Sequence, residues 1–190
     1  MKVILASGSP RRRELREMLG VPGLTVIPAR GEEKAPEGLP PGELVMALAS
    51  AKGHEVAQGR DPEDVIVAAD TVVWANGTVF GKPKTEAQAA EMLTVLSGSG
   101  HEVYTGVSVL RGGHEELAYE VSRVYFRPLE PDEIRRYIAT GEPMDKAGAY
   151  GAQGLGALFV EKIDGDFFNV MGLPLCRLGG MLKKQGVVIL

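Results

Sequence analysis

The sequence predicts an α/β protein with a mixed β-sheet flanked by helices, arranged in two lobes with a central cleft. Two observations lead to this prediction. Strand-like and helix-like segments alternate along the 190 residues, and hairpin signals at Asn76-Gly77 and Gly112-Gly113 interrupt the alternation. The length suits one ordinary domain, and 44% hydrophobic with 24% charged residues is typical of a packed protein. We therefore expect a single domain over residues 1–190.

The N-terminal segment predicts a strand followed directly by a helix. The apolar run 2–6 is typical of a short buried strand. Ser9 suits the N-cap position and Pro10 suits the first helical position. Because Gly20 ends the helical pattern, we expect a helix over 10–19.

The next part of the chain predicts a long helix and a hairpin. After a brief extended segment over 24–28, the polar and proline-rich stretch 30–41 predicts an exposed loop. Apolar residues at helical spacing predict a helix over 42–58. The run 64–74 is the strongest strand signal in the chain, and 78–80 is expected to return antiparallel to it across the Asn-Gly turn.

The second half alternates again between helix and strand patterns. The predicted elements are a helix over 85–96 with Thr85 as N-cap, strands over 103–110 and 117–126, a helix from Pro131 that Thr140-Gly141 closes, a glycine-rich functional loop over 144–156, a strand over 158–163 and a helix over 174–184. Apolar residues continue on both sides of the glycine-rich loop, so we expect it to be ordered.

Composition and charge exclude several classes of function. The net charge of −4 leaves no broad basic field, which argues against nucleic-acid and membrane partners. No apolar run approaches a membrane span and the N-terminus does not read as a signal peptide, so we expect a cytoplasmic protein. Cys176 is the single cysteine and His54, His101 and His114 are scattered, which excludes a disulfide framework and argues against a Cys/His metal cluster.

Three consecutive arginines, Arg11 to Arg13, stand in the first turn of the first predicted helix. The unpaired amides and the helix dipole make that end electropositive, so cations are unfavourable there unless an anion is shared. The small residues Ala6-Ser7-Gly8 before the helix let a ligand approach the backbone closely. We therefore expect Ser7, Arg11 and Arg12 to bind phosphate. The alternative is a solvated basic turn whose arginines pair with nearby glutamates.

Two charged residues interrupt apolar patterns. Asp70 lies between two apolar runs, and a carboxylate buried there needs a metal ion, a cationic partner or several hydrogen-bond donors. Lys52 shares a helical stripe with Leu48 and Val56, which carries its ammonium group on the inward face. The alternatives are an aspartate that caps a turn and a lysine that reaches solvent from the edge of the stripe.

Four further polar residues are candidates for a site. The proline after Lys82 restricts the backbone and so aims the lysine side chain. Glu32 and Glu33 on the proline-rich loop offer the hard oxygen ligands that Mg²⁺ prefers beside phosphate oxygens, or else simply solubilising charge. Gln153 both donates and accepts hydrogen bonds, as reading a nucleobase edge requires, although an ordinary loop amide would look the same.

Short blocks with a characteristic order and spacing run through almost the whole chain. They are Ser7-Gly8-Ser9-Pro10-Arg11-Arg12-Arg13, Ala49-Ser50-Ala51-Lys52, Ala68-Ala69-Asp70-Thr71, Gly81-Lys82-Pro83, His101-Glu102-Val103-Tyr104-Thr105-Gly106, Gly141-Glu142-Pro143-Met144-Asp145-Lys146 and Gly172-Leu173-Pro174-Leu175. Together they resemble the Maf family of nucleoside triphosphate pyrophosphatases, which is linked to septum formation.

The resemblance implies an inosine-triphosphatase-like α/β fold and metal-dependent hydrolysis between the α- and β-phosphates. It implies that Asp70 is the proton acceptor, that Arg11, Thr71 and Gln153 mark the branch that prefers dTTP and UTP, and that the protein is a homodimer. With the charges above, it leads us to expect catalysis by Asp70, Lys52 and Lys82. We expect a divalent cation, Mg²⁺ or Mn²⁺, held by Glu33 and Asp70.

The sequence is also compatible with other functions. The chain could be a non-catalytic nucleotide-binding regulator of cell division, which would bind a triphosphate without releasing pyrophosphate. It could apply the same chemistry to a modified pyrimidine or a modified guanine nucleotide. A nucleic-acid-binding module built on the arginine turn is disfavoured by the acidic balance and the lack of interleaved aromatic residues.

Overall fold

The computed structural model describes residues 1–21, 23–31 and 38–189. Within these residues the helices and strands are, in chain order, β1 (Val3–Ala6), α1 (Pro10–Met18), β2 (Thr25–Val26), α2 (Pro41–Ala57), β3 (Val65–Ala75), β4 (Thr78–Phe80), α3 (Glu86–Leu96), β5 (Gly100–Arg111), β6 (His114–Phe126), α4 (Pro131–Ala139), β7 (Val160–Asp164), α5 (Phe167–Met171) and α6 (Leu175–Lys184). Three 3-10 turns cover Glu142–Asp145, Ala147–Ala149 and Leu155–Phe159.

The strands form a mixed sheet in the order β2-β1-β3-β5-β6-β7, with β4 paired to β3 outside this path. β1 runs parallel to β2 and to β3, whereas β3 pairs antiparallel with β4 and β6 with β7. The first hairpin turns at Asn76 and Gly77, whose φ angles of 49° and 77° are both positive, as a type I′ turn requires. The predicted mixed α/β architecture and this hairpin are therefore confirmed.

The chain divides into two compact units. One contains Met1–Asp70, Thr105–Glu120 and Gly172–Leu190, and the other contains Thr71–Tyr104 and Val121–Met171. The core of the first unit is formed by apolar side chains from β1, α2, β3 and β5. In the second unit, apolar and aromatic side chains from α3, α4 and β6 are central to the core. The single domain and the central cleft expected from the sequence stay predictions.

Helix α2 contacts β5 backbone to backbone. A Cβ atom on Gly106 of β5 would lie 2.3 Å from the carbonyl carbon and oxygen of Val45 in α2, so a larger residue would displace the helix. A Cβ atom on Gly53 of α2 would lie 2.4 Å from Cδ1 of Leu110 in β5. These two glycines set the distance between α2 and the sheet, because glycine lets a second backbone approach closely.

The structure departs from the predicted elements in several places. β5 and β6 begin earlier than expected, at Gly100 and His114, because strand pairing continues through polar residues, among them the buried His101, that no apolar pattern marks as strand. The third 3-10 turn occupies the start of the predicted strand 158–163, so β7 begins at Val160. Helix α5 has no counterpart among the predicted elements, since five residues are too few to show a helical period. No helix in the described part of the chain is long and apolar enough to cross a membrane.

Candidate active site

The first unit brings two predicted groups to the same end of its strands. β1 and β3 are parallel neighbours in which Ala6 faces Ala68, and Asp70 follows two residues further along β3. From β1 the chain leads through α1 to β2 on one side, while β3 lies on the other side. Where the strands on the two sides of a central strand are reached in opposite directions, a crevice forms at the carboxyl ends of the parallel strands. Ligands of open α/β sheets bind in this crevice. The topology therefore places the start of α1 and Asp70 at the same end of these strands.

The start of α1 has the predicted capped geometry. The Ser9 side chain accepts a hydrogen bond from the backbone N–H of Arg12 at 3.5 Å, and Pro10 occupies the first helical position. The buried Ser7 hydroxyl accepts from the backbone N–H of Ser9 at 3.2 Å, which stabilises the turn between β1 and α1. The first turn carries no acidic residue, so Arg11 and Arg12 add to the positive end of the helix dipole. Phosphate binding by Ser7, Arg11 and Arg12 stays a prediction.

Arg12 makes a structural contact that the sequence did not indicate. Its Nε donates a hydrogen bond to the carbonyl oxygen of Gly172 at 2.6 Å. Gly172 has a φ of 103°, a backbone conformation that residues other than glycine rarely adopt. The contact ties α1 to the segment that precedes α6, so part of the Arg12 guanidinium already serves to position that segment.

Lys52 and Asp70 form an ion pair. The Lys52 Nζ lies 2.5 Å from the Asp70 Oδ1, and the two side chains are only 16% and 10% exposed. The pair explains why two charged residues interrupt apolar patterns in the sequence. The buried carboxylate has a cationic partner, and the ammonium group has its counter-charge. Asp70 therefore does not act as a simple turn cap. The position of Lys52 depends on α2, which Gly53 and Gly106 hold against the sheet.

Helix α2 also holds the start of the proline-rich loop. The Glu55 carboxylate accepts hydrogen bonds from the backbone N–H groups of Arg30, at 2.6 Å, and Gly31, at 3.0 Å. Glu32 and Glu33, the predicted acidic ligands, lie outside the described residues. Metal binding by Glu33 accordingly stays a prediction.

A second carboxylate lies against α2. Glu115 on β6 accepts hydrogen bonds from the Ser108 hydroxyl at 2.7 Å and pairs with His54 Nε2 at 3.1 Å. Desolvation by burial raises the pKa of Glu115, but hydrogen bonds from Ser108, Ser50 and His54 outweigh it and lower the pKa below its ordinary value. Glu115 therefore joins both strands of the second hairpin to α2, the helix that carries Lys52.

The other predicted site residues belong to the second unit. Thr71 follows Asp70 on β3, so the two side chains leave opposite faces of the strand. Lys82 is exposed on the segment between β4 and α3. The neighbouring Gly81 carbonyl accepts a hydrogen bond from the backbone N–H of Gly148 at 3.1 Å, which attaches this segment to the glycine-rich loop. Gln153 is exposed in that loop.

The glycine-rich loop is ordered by a carboxylate that sequence reasoning did not single out. Glu142 accepts hydrogen bonds from the Tyr137 hydroxyl at 2.9 Å and from the backbone N–H groups of Leu155 and Gly156 at 3.0 and 3.1 Å. Desolvation raises the pKa of Glu142, but these hydrogen bonds outweigh it and lower the pKa. The one available signal was the position of Glu142 between Gly141 and Pro143, a composition that also fits an ordinary turn.

The described residues offer few ligands for a metal. They contain no group of three or more His, Cys, Asp or Glu side chains placed to hold a metal ion. Asp70 supplies a hard carboxylate, whose Oδ1 pairs with Lys52 Nζ. One or two carboxylates completed by substrate phosphates and water suit Mg²⁺, so the donor chemistry of Asp70 fits this ion.

Comparisons with known proteins find relatives that match almost the whole chain. A dTTP/UTP pyrophosphatase of Moorella thermoacetica is 50% identical over 188 residues, which cover 98% of this chain and 96% of the relative. A dTTP/UTP pyrophosphatase of Pelotomaculum thermopropionicum is 47% identical over 191 residues, which cover 100% of this chain and 99% of the relative.

A solved structure and a family model complete the comparison. A HAM1 protein from Coxiella burnetii matches 97% of this chain and 99% of its own with a TM-score of 0.52 and 15% identity, which confirms the inosine-triphosphatase-like fold. The family model described as Maf-like protein matches residues 2–185. Because that match spans nearly every element described above, the chain belongs to the family of Maf-like proteins.

Proposed function

We propose that this protein is a nucleoside triphosphate pyrophosphatase that hydrolyses dTTP and UTP to the monophosphate and pyrophosphate. The observation that carries the proposal is the 50% and 47% identity, over almost the entire chain, to relatives named dTTP/UTP pyrophosphatase. The family resemblance implies that Arg11, Thr71 and Gln153 mark the branch that prefers dTTP and UTP, and this supports the same substrates.

Asp70 is the proton acceptor of the proposed reaction. A water molecule attacks the α-phosphorus, its proton passes to an Asp70 carboxylate oxygen, and the bond from the α-phosphorus to the bridging oxygen breaks. The products are a nucleoside monophosphate and pyrophosphate, which leaves with the bridging oxygen. Because Lys52 engages Oδ1, we assign the proton to Oδ2.

Positive side chains supply the charge that a triphosphate requires. Lys52 balances the Asp70 carboxylate at 2.5 Å, so the free protein does not bury a lone negative charge where a polyanion has to bind. Arg11 and Arg12 at the start of α1 bind phosphate oxygens together with backbone N–H groups. Lys82 neutralises the leaving pyrophosphate. Thr71 and Gln153 contact the pyrimidine edge, where donors and acceptors alternate.

A divalent cation is part of the proposal. Asp70 and Glu33 are the residues that would hold it, with Mg²⁺ or Mn²⁺ as the ion. When bound, such an ion supplies Lewis-acid polarisation of the phosphate oxygens. The contribution of this chain is to present Asp70 and to anchor the loop before Glu33 through the hydrogen bonds of Glu55 with Arg30 and Gly31.

The decisive experiment is a panel of nucleoside triphosphates incubated with the protein, with and without Mg²⁺. We expect dTTP and UTP to give monophosphate and pyrophosphate at the highest rates, with modified pyrimidine nucleotides as further candidates. Release of diphosphate and orthophosphate would contradict cleavage between the α- and β-phosphates. Tight nucleotide binding without any cleavage would favour a non-catalytic regulator, and preferential cleavage of a modified guanine nucleotide would reassign the substrate.

The proposal includes a cytoplasmic homodimer that does not bind nucleic acid. The dimer and the link to septum formation follow from the family resemblance, and the net charge of −4 disfavours a polyanionic polymer as partner. Light scattering after size-exclusion chromatography tests the dimer. Fractionation of cells tests the cytoplasmic location. Salt-dependent binding of oligonucleotides would contradict the expectation that the protein does not bind nucleic acid.

A further inference from the structure

A closed ring of hydrogen bonds surrounds the loop that carries Gln153. The Tyr137 hydroxyl donates to Glu142 Oε1 at 2.9 Å and accepts from the backbone N–H of Gly151 at 3.2 Å. The same carboxylate accepts from the backbone N–H groups of Leu155 at Oε2 and Gly156 at Oε1. Both ends of the segment 151–156 are therefore held by one side-chain pair. We call Tyr137 and Glu142, with the three N–H groups they bind, the clasp.

The backbone of the segment is shaped to fit the clasp. A Cβ atom on Gly156 would lie 2.6 Å from the Gly151 carbonyl oxygen and 2.7 Å from the Tyr137 hydroxyl. A Cβ atom on Gly154 would lie 2.9 Å from the Glu142 carboxylate oxygens, and the φ of 115° at Gly154 is accessible mainly to glycine. Larger residues at these two positions would push the segment away from Glu142.

Apolar packing does little to hold the middle of this segment. Gln153, Gly154 and Leu155 are exposed, and Leu158 in the following turn is 68% exposed. The ends, in contrast, are buried at Gly151 and Gly156, where the clasp binds them. The conformation between the two ends therefore depends on the hydrogen bonds to Glu142 and Tyr137 more than on a core.

We propose that Glu142 is a positioning residue for base recognition, which holds the segment 151–156 so that Gln153 meets the pyrimidine edge. The inference rests on the proposed function, because it assigns Gln153 to the base. Glu142 touches neither substrate nor reacting atoms in this role. Its effect passes through the backbone N–H groups of Leu155 and Gly156, which fix the orientation in which the Gln153 amide can donate and accept.

The first test is kinetic. Glu142→Gln replaces one carboxylate oxygen by an NH₂ group, which cannot accept a hydrogen bond. At most one of the two hydrogen bonds from the Leu155 and Gly156 N–H groups can therefore persist. We expect the ratio of kcat/KM for dTTP over dCTP to fall about fivefold to tenfold, mainly through KM, as loss of one good hydrogen bond implies. In a Gln153→Ala background the same substitution should change the ratio by less than about twofold, because both substitutions remove the same contact between Gln153 and the base.

A second, substrate-free test measures loop order. Hydrogen exchange of at least one of the Leu155 and Gly156 amides in the unliganded protein should accelerate about tenfold in Glu142→Gln, as loss of about 1.4 kcal/mol of local protection implies. Glu133→Gln is the matched control, because Glu133 is also held by three hydrogen bonds, two from Arg127 and one from the Glu130 N–H. It should lower the melting temperature without changing the base ratio or the exchange of residues 155 and 156.

The possible outcomes distinguish failure of the positioning role of Glu142 from failure of the proposed function. An unchanged base ratio in folded Glu142→Gln, or an equal loss in the Gln153→Ala background, overturns the positioning role. If Glu142→Gln does not fold, Tyr137→Phe removes only the hydroxyl that links Glu142 to Gly151 and should change the ratio in the same direction. If the wild-type protein cleaves neither dTTP nor UTP, the proposed function fails and base recognition falls with it. The exchange data then still decide whether Glu142 orders the loop.

Discussion

The imidazole of His101 shares a hydrogen bond with the hydroxyl of Tyr150, with 2.8 Å between Nε2 and the phenolic oxygen. Both rings pack edge-to-face against Phe126, at centroid distances of 4.9 and 4.6 Å. His101 is 2% exposed, and its Nδ1 is a buried atom with no hydrogen-bond partner among the described residues. The core of the second unit therefore contains a histidine that it tolerates only in the neutral form.

This arrangement predicts that stability falls in mild acid. Burial lowers the pKa of His101 from its ordinary value of 6.5 to about 4. Between these values the unfolded chain binds the proton and the folded protein does not, so the free energy of unfolding is highest above pH 6.5 and falls as the pH drops toward 4. The loss at pH 4 is expected to be about 3 kcal/mol, measured by urea unfolding across this range.

A variant separates His101 from the other titrating groups. His101→Asn removes the titration and should flatten the stability profile between pH 4 and 6.5, even though its stability at pH 7 is lower. His114→Asn, at an exposed histidine, is the control and should leave the slope unchanged. Equal slopes for wild-type protein and His101→Asn would show that other groups cause the acid sensitivity.

Replacing Asp70 is expected to abolish turnover without unfolding the protein. Asp70→Asn keeps the shape of the side chain and an oxygen for Lys52 but removes the proton acceptor, so we expect the rate of dTTP hydrolysis to fall by a factor of about 10² to 10⁴. Asp164→Asn is the control, since that carboxylate is 68% exposed and lies 3.9 Å from Lys162. A rate for Asp70→Asn near that of the wild type would remove Asp70 from its assigned role.

The ion pair predicts a non-additive effect on stability. Lys52→Met leaves the Asp70 carboxylate only 10% exposed and without the ammonium, which should cost about 1–3 kcal/mol. Adding Asp70→Asn should recover part of that loss, because the double variant buries no uncompensated charge. Urea unfolding of the two single variants and the double variant measures the coupling. Simple additivity would mean that the two side chains do not stabilise one another.

Gly106 is predicted to be the least replaceable glycine of β5. Gly106→Ala places a Cβ atom 2.3 Å from the backbone of Val45, and a backbone cannot move aside as a side chain can. We expect a loss of at least about 3 kcal/mol in the free energy of unfolding. Gly53→Ala should cost less, since the Leu110 side chain that it meets can rotate. A loss below about 1 kcal/mol for Gly106→Ala would contradict the close contact.

Helix α6 offers a stabilising substitution. Gly180 lies inside this helix, is exposed, and would bring a Cβ atom within 4 Å of nothing. Gly180→Ala should therefore raise the free energy of unfolding by about 0.5–1 kcal/mol through helix propensity. Gly186→Ala provides the contrast, because its φ of 78° strains an alanine and should lower stability. A decrease in thermal stability for Gly180→Ala would contradict this view of α6.

Local chemistry explains what the sequence could predict. The Asn76-Gly77 turn needs two positive φ angles, and these residue types adopt them at low cost. Ser9 and Thr85 each accept the hydrogen bond of a helix N-cap, as their side chains predict. In each case the residues that determine the structure are neighbours in the chain.

Contacts between distant residues explain what the sequence could not predict. Asp70 and Lys52 each stood out in an apolar pattern, but their pairing depends on how α2 lies on the sheet, and hence on Gly106 and Val45 more than 50 residues apart. Glu142 resembled a turn residue because its partners, Leu155 and Gly156, lie 13 and 14 residues further along the chain, beyond two 3-10 turns. Periodicity carries no information on such turns.

The glycine contacts of α2 distinguish positions that protein engineering should avoid from positions that it can change. Gly106 lies against the backbone of Val45, and Gly53 lies against the Leu110 side chain, so libraries that diversify these positions would mostly yield unfolded clones. Gln153 and Leu155 project from a segment held at its ends by the clasp, and their own side chains are exposed. Mutational searches for altered nucleotide preference should begin there, with Glu142 and Tyr137 left untouched.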